Sequence, residues 1–359
     1  MLQLLLGGSG SGKTTLLYQR IRARAEKGEK SILLVPEQFT SSTEGRIYRE
    51  LGDALSGMVE SFSFTSLAEK ILSTEGGAAV QTLSDAGRAV LVRRALEELQ
   101  DNVHYYHRHR RSAAFCQMAA QTIDELKSAG LSGRQLAQLA GACGAESGKL
   151  SELALIFQGY ETLLARSGMD PSDRLELAGA RLEEALARHS LPEFLRDRAV
   201  FIDEFDTFNA PKKRLLGALL AALPSVTVAL CDDGAPLLPG DLSLFSGAKQ
   251  VAAQLRQLAR KNGAEVAVPQ LLRKDLRHRN APGLAAVAEL LETGSCTADA
   301  PAGEVRLFAA PSREEEARAA AGAIRRLMRQ GVRCGKIAVV CRDIAKYRAA
   351  VRYEFRMAE

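Results

Sequence analysis

Eight residues near the start of the chain carry the first chemistry that can be read from it. Gly7, Gly8, Ser9, Gly10, Ser11, Gly12, Lys13 and Thr14 satisfy the pattern G-x-x-x-x-G-K-[ST], with the apolar run Leu2–Leu6 directly before them. The glycines let the backbone turn tightly, so that successive N–H groups point inward around a phosphate oxygen. A helix starting at Thr14 aims its positive end at the same place. In such a loop Lys13 reaches the β- and γ-phosphates of ATP and the Thr14 hydroxyl ligates Mg2+, with Thr15 in the same binding set. Hydrolysis needs two further groups: a carboxylate on the metal side and a base for the attacking water. The run Val200-Phe201-Ile202-Asp203-Glu204 ends an apolar strand with both, Asp203 as the metal-side acid and Glu204 as the base. An acidic helix cap after a strand has the same appearance, but the loop upstream favours the catalytic reading.

Elements of regular structure must carry these two segments to one place. Short apolar, β-rich runs at Leu2–Leu6, Ser31–Val35, Met58–Phe62, Ala199–Asp203 and Val226–Cys231 read as buried parallel strands. Helical patterns at Thr14–Lys27, Thr43–Leu55 and Thr65–Ser73 separate the first three, which describes an α/β sheet with right-handed crossovers. From about Ser84 to Arg196 the chain turns rich in Ala, Leu, Glu and Arg, with helical periods at Asp85–Gln100, Ala113–Ala129, Glu152–Ser167 and Asp173–Arg188. A helical insertion cut into the sheet domain is expected there. Ser243–Asn262 carries another long helix, and Pro282–Pro301 reads partly as a linker. A fresh α/β pattern then follows: strand Glu304–Ala309, helix Ser312–Arg329, strand Lys336–Cys341 and a helix from Asp343. The expected domains are therefore 1–84 with 197–300, 85–196 as the insertion, and 301–359 as the cut-short start of a second α/β domain, with the natural chain continuing beyond it.

Composition sets the outer limits. An apolar share of 46% with 25% charged residues is that of an ordinary globular protein. The net charge of +5 permits a polyanionic partner without requiring one. Six cysteines, at 116, 143, 231, 296, 334 and 341, form no C-x-x-C pair, which argues against a zinc site or a disulfide framework and suits a reducing cytoplasm. No secretory leader is visible, and no run approaches the roughly 18 apolar residues of a membrane span.

Four segments together resemble one family. They are the GGSGSGKT loop, Leu33–Thr40 (LLVPEQFT), Ser61–Ala68 (SFSFTSLA) and Phe201–Phe208 (FIDEFDTF), and the hexapeptide VPEQFT is the most specific of them. The chain is similar to the N-terminal part of AddB, one of the two subunits of bacterial AddAB (RexAB) helicase/deoxyribonucleases. Arg313–Ala317 and Ile337–Asp343 look like the opening of that family's second RecA-like domain, so the likeness spans the whole chain. The resemblance implies a P-loop NTPase fold of the RecA-like, superfamily-one helicase type; the distance from Lys13 to Asp203, filled by a helical block, favours the same class. It implies a role in processing double-strand DNA ends for homologous recombination, in a heterodimer with AddA, and a part in recognising the Chi sequence. It implies a nuclease domain with an iron–sulfur cluster only in full-length relatives; neither is expected of these residues, whose activity is at most that of an ATPase.

By position, Gln38, Phe39 and Thr40, and Ser63, Phe64 and Thr65, would lie on strand-end loops that touch single-stranded DNA, through hydroxyls to phosphates and a ring on a base. Both phenylalanines are of a type more often found in a core. Arg342 matches the place where such motors set an arginine near the γ-phosphate, as a third catalytic candidate beside Lys13 and Glu204. Family members often read Asp-Gly-Phe where this chain has Asp203-Glu204-Phe205, and the glutamate restores the acid pair of active motors.

Two segments remain outside that scheme. His104–Arg111 (HYYHRHRR) interleaves rings and cations, a composition that suits a nucleic-acid backbone, although a charged connection between helices looks the same. Leu131-Ser132-Gly133-Arg134-Gln135 resembles the signature of ABC-type ATPases but stands too far ahead of Asp203; Ser132 is expected to cap the helix Arg134–Ala140. The competing reading of the whole is a nucleotide-binding scaffold or DNA-recognition module without significant turnover.

Overall fold

The computed structural model describes residues 1–358 apart from 78, 80, 110, 145–146 and 296–302. Arg110 of the basic run, Cys296, the end of the expected linker and Glu359 therefore lie outside the described residues. The chain divides into two compact units, Met1–Asn280 and Ala281–Glu359.

In the first unit β1 (Leu2–Gly7) leads into α1 (Lys13–Ala25), then β2 (Ser31–Leu34), α2 (Thr40–Leu51), the single turn α3 (Asp53–Ser56), β3 (Val59–Phe62) and α4 (Phe64–Glu75). The helical run expected over Thr43–Leu55 is broken at Gly52, which takes φ +75°, a conformation that costs glycine little. Helices α5 (Asp85–Glu98), α6 (Ala113–Ser128), α7 (Gly133–Ala140), α8 (Ser147–Ser167) and α9 (Pro171–Ala187) follow. The chain then returns through β4 (Ala199–Ile202), α10 (Ala210–Ala222), β5 (Ser225–Cys231), α11 (Ser246–Lys261) and β6 (Gln270–Leu272). The last of these, three residues long, has no counterpart in the sequence reading.

All the strands pair in parallel, in the order β3-β2-β4-β5-β1-β6. Side chains alternate across the sheet, so each strand feeds two cores. Leu2, Leu4 and Leu6 join Ile32, Val200 and Val228 on one face beneath α4, α9, α10 and α11, whereas Leu5, Leu33, Phe201 and Ala229 meet α1 and α2 on the other. A third core, built on Val92, Ile123, Phe157 and Leu163, belongs to α5–α8. Helix α9 packs on the sheet through Leu175, Ala178 and Leu182. A polar cluster links it to the helical block: Lys127 Nζ donates to Asp170 at 2.9 Å and to Asp173 at 2.8 Å, while the Tyr160 hydroxyl donates to Asp170 at 2.6 Å. Burial first, and then the bond to Asp170, raise the Tyr160 hydroxyl's pKa, so it stays a donor.

The second unit contains α12 (Pro282–Thr293), α13 (Arg313–Arg329) and α14 (Ile344–Met357). Residues 282–293, the first part of the run read partly as a linker, form a helix with Pro282 at its first turn, where the missing N–H costs nothing. One expectation is corrected here. Glu304–Ala309 and Lys336–Cys341 are not strands. An extended segment becomes a strand only with a bonding neighbour and a covered face, and among the described residues these have neither; Leu307 is 101% and Val340 90% exposed. Helices α13 and α14 are joined by a two-pronged pair, Arg318 to the buried carboxylate of Glu354 at 2.9 and 3.0 Å.

Candidate functional site

Parallel strands put all their carboxyl ends on one edge, and the crevice outside that edge is where ligands of such sheets bind. In the first unit the loops after β1, β2, β3 and β4 all open there. The loop after β1 is held in shape by glycines that take conformations other residues avoid. Gly10 has φ +80° and Gly12 φ +91°. A methyl group on Gly10 would come within 2.6 Å of Arg277 Cβ, and one on Gly12 within 3.0 Å of Leu276 Cδ1. Helix α1 starts behind Gly12 with no side-chain cap and no acid in its first turn, so its amide groups point into the loop unclaimed by a capping oxygen. Ser11 Oγ is buried without a hydrogen-bond partner among the described residues.

Ser9, Gly10, Gly12, Lys13, Thr14 and Thr15 line a cavity of about 530 Å3, and Asp203 and Glu204 line the same cavity from the end of β4. Two segments far apart in sequence thus meet across β5, which lies between β1 and β4. Lys13 Nζ donates to the carbonyls of Gly7 and Gly8 at 2.7 and 2.8 Å, folding the ammonium over the loop. Asp203, 6% exposed, has its backbone N–H bonded to the Leu34 carbonyl at 3.1 Å, and its Oδ1 accepts from the Glu204 N–H at 3.0 Å. Glu204 is a non-glycine residue at φ +64°. That left-handed backbone costs about 1–2 kcal/mol, and such outliers concentrate at functional sites. Burial, and then the Asp203 charge, push the Glu204 carboxyl above its ordinary range, with Arg46 opposing. Backbone amides with an ammonium suit a phosphate chain, and a hydroxyl and a carboxylate lining the same cavity suit a hard divalent cation.

Other expected residues fall elsewhere. Phe64 opens α4 and is 2% exposed, its ring meeting Phe205 and Phe208 edge to face at 5.2 and 6.0 Å. It is a core residue and presents no face to a base. Ser63, also buried, spends its hydroxyl on the cap of α4, accepting from the Ser66 N–H at 3.1 Å. Phe39 is half-buried against the α1–α2 core. Gln38 is exposed, and Thr40 donates to the Glu37 carbonyl at 2.6 Å, while Thr65 donates to the Glu37 carboxylate. Arg342 is exposed in the second unit. Ser132 caps α7 in a reciprocal pair with Gln135, as expected. In the basic run, Tyr105 is 56% exposed, and the N–H groups of His104, Tyr105 and Tyr106 close around the Glu152 carboxylate at 2.8–3.1 Å.

Because Phe64 bridges the sheet core and the Phe205 ring, Phe64→Ala should destabilise the protein by about 3–5 kcal/mol in denaturant unfolding. A loss below about 1 kcal/mol would remove Phe64 from the core.

Two groups at the cavity go unannounced in the sequence reading. Arg46, on α2, carries no signature that marks it out among the other polar positions of that helix. Arg277 lies in the dense charge run Arg273–Arg279 after β6, a signal that could have found it; its guanidinium donates to Ser9 Oγ at 3.1 Å, and the Leu276 N–H bonds the Gly10 carbonyl at 3.0 Å.

Fold and cavity together define an α/β protein with a parallel sheet and a crevice at its carboxyl edge. The chain belongs to the AddB N-terminal family, whose pattern, described as "ADDB, N-terminal", matches residues 4–288. Among curated relatives, AddB of Desulforudis audaxviator, the B-subunit of an ATP-dependent helicase/deoxyribonuclease, is 34% identical over 99% of this chain and 31% of its own length. The proteins of the same name from Symbiobacterium thermophilum and Moorella thermoacetica are 33% and 32% identical, over 96% and 99% of this chain and 31% and 32% of their own lengths. The chain thus spans about a third of the length of the curated relatives it matches. Among the described residues, no helix is long and apolar enough to cross a membrane.

Proposed function

We propose that this chain is the ATP-binding, helicase-like N-terminal part of a protein that processes double-strand DNA ends for homologous recombination together with an AddA-like partner, with a share in Chi recognition. The first unit is taken as a RecA-like P-loop domain and the second as the start of another. The observation that carries the proposal is the meeting of Lys13 and Thr14 with Asp203 and Glu204 around one cavity. Gly7–Thr15 would wrap the phosphates, Lys13 would swing from its own carbonyls to the β- and γ-oxygens, and Thr14 and Asp203 would hold Mg2+. The bound metal would neutralise charge developing on the phosphoryl oxygens. Glu204, its carboxyl raised, would take the proton of the attacking water. Arg342 is the candidate for a further positive charge at the γ-phosphate. The loops after β2 and β3, with Gln38, Phe39, Thr40 and Thr65, would meet single-stranded DNA, with Phe64 and Ser63 supporting them from beneath. The names of the relatives support the nuclease part of the assignment for the full-length protein only.

Calorimetric titration with magnesium–ATP, and single-strand binding followed across salt, test this. Uptake of nucleotide together with DNA affinity that falls steeply with salt is expected. Absence of nucleotide uptake would remove the reading's foundation.

A further inference from the structure

Three cations line the cavity at the Gly7–Thr15 loop, and two have partners within the protein. Lys13 Nζ donates to the Gly7 and Gly8 carbonyls, and Arg277 donates to Ser9 Oγ. The third, the guanidinium of Arg46, makes no hydrogen bond among the described residues. Its guanidinium sits over the face of Tyr18, 5.0 Å from the ring centre, and Tyr18 is itself buried in the core under α1. Burial pushes the Tyr18 hydroxyl up to about 12, so the ring stays a neutral platform for a cation. The arginine's position is therefore fixed by stacking while its N–H donors stay unspent, an arrangement suited to a planar, forked contact with an oxyanion.

Its place along the cavity is fixed by a second opening. A smaller space of about 210 Å3 adjoins the first, and Thr14, Arg46, Asp203 and Glu204 line both. Arg46 thus belongs to the acid-pair end of the cavity, whereas Arg277 belongs to the Ser9 and Gly10 end. A phosphate chain threaded through the loop would bring its terminal group toward Asp203, Glu204 and Asp206, three carboxylates that line this cavity. Phosphate and carboxylate repel unless a cation stands between them.

We infer that Arg46 contacts the terminal phosphate of the bound nucleotide, acting within the first unit as the residue that tells a triphosphate from a diphosphate. The inference rests on the nucleotide-site reading above and adds to it a residue that reads the γ-phosphate from α2. Opposite the loop, Arg46 would share the γ-oxygens with Lys13 and shield them from the acid pair. As phosphoryl transfer begins, the same guanidinium would be placed against the charge that builds on those oxygens.

The test compares affinities of the intact chain for magnesium–ADP and for the magnesium complex of the β,γ-imido analogue of ATP. Wild type, Arg46→Ala, Arg46→Gln and Arg46→Lys would be measured, each checked first for an unchanged thermal unfolding midpoint. Wild type should prefer the triphosphate analogue. Arg46→Ala and Arg46→Gln should weaken it about tenfold or more while leaving ADP within about twofold, and Arg46→Lys should recover part of the loss. If the analogue and ADP weaken together, or neither weakens, Arg46 does not read the terminal phosphate and the inference falls while the nucleotide site stands. If wild type binds neither nucleotide, the underlying reading fails and takes the inference with it. Arg46→Gln keeps a polar stem of similar length, so a folding defect confined to Arg46→Ala leaves the comparison intact.

Discussion

Lys13→Ala should lower affinity for magnesium–ATP by about ten- to a hundredfold, the range expected when hydrogen bonds to a charged group are lost. Two effects combine. The ammonium that would meet the β- and γ-oxygens is gone, and so are its bonds to the carbonyls of Gly7 and Gly8, which draw the loop together without a ligand. The second effect separates this position from an ordinary surface lysine, because the loop should also loosen before any nucleotide arrives. Calorimetry on the purified variant checks the first effect and amide exchange at residues 7–12 the second. Unaltered affinity would place the phosphates somewhere other than this loop.

Glu204→Gln should reduce ATP turnover in the assembled complex by about 10²–10⁴-fold, the usual contribution of a general base, while nucleotide affinity stays close to wild type. Glutamine keeps the length of the side chain and tolerates the same backbone about as well, so the fold is not in question. The carboxyl's upward shift, from burial and then the neighbouring Asp203, brings the base nearer to the pH at which it works. Steady-state hydrolysis with DNA and partner present is the measurement. Equal and negligible rates in wild type and variant would favour the scaffold reading, in which nucleotide only stabilises the fold.

What is legible in the sequence depends on whether the signal is local. The glycine loop, the acid pair and the strands that carry them can be read because each is a short run whose side-chain period or spacing is set by its own backbone. Their meeting across β5 can be expected from the motifs but not located, since strand order is a property of the whole sheet. The helix expected over Thr65–Ser73 leaves Ser63 and Phe64 in the turn after β3, open to either DNA or the core; the helix starts one residue earlier, which makes Ser63 its cap and turns Phe64 into the core. Arg46 is invisible for the opposite reason: its importance comes from Tyr18 beneath it, supplied by another helix. The extended runs at 304–309 and 336–341 have the composition of strands, but composition supplies no neighbour to pair with.

If Glu204 is the base proposed above, its left-handed backbone sets durability against turnover at a single position. Glycine, the residue of the Asp-Gly-Phe pattern noted above, would relax the chain by about 1–2 kcal/mol and delete the proton acceptor in one step. Under the proposed role of Glu204, a chain carrying glycine there should unfold at higher denaturant and lose hydrolysis at this site, both from one substitution.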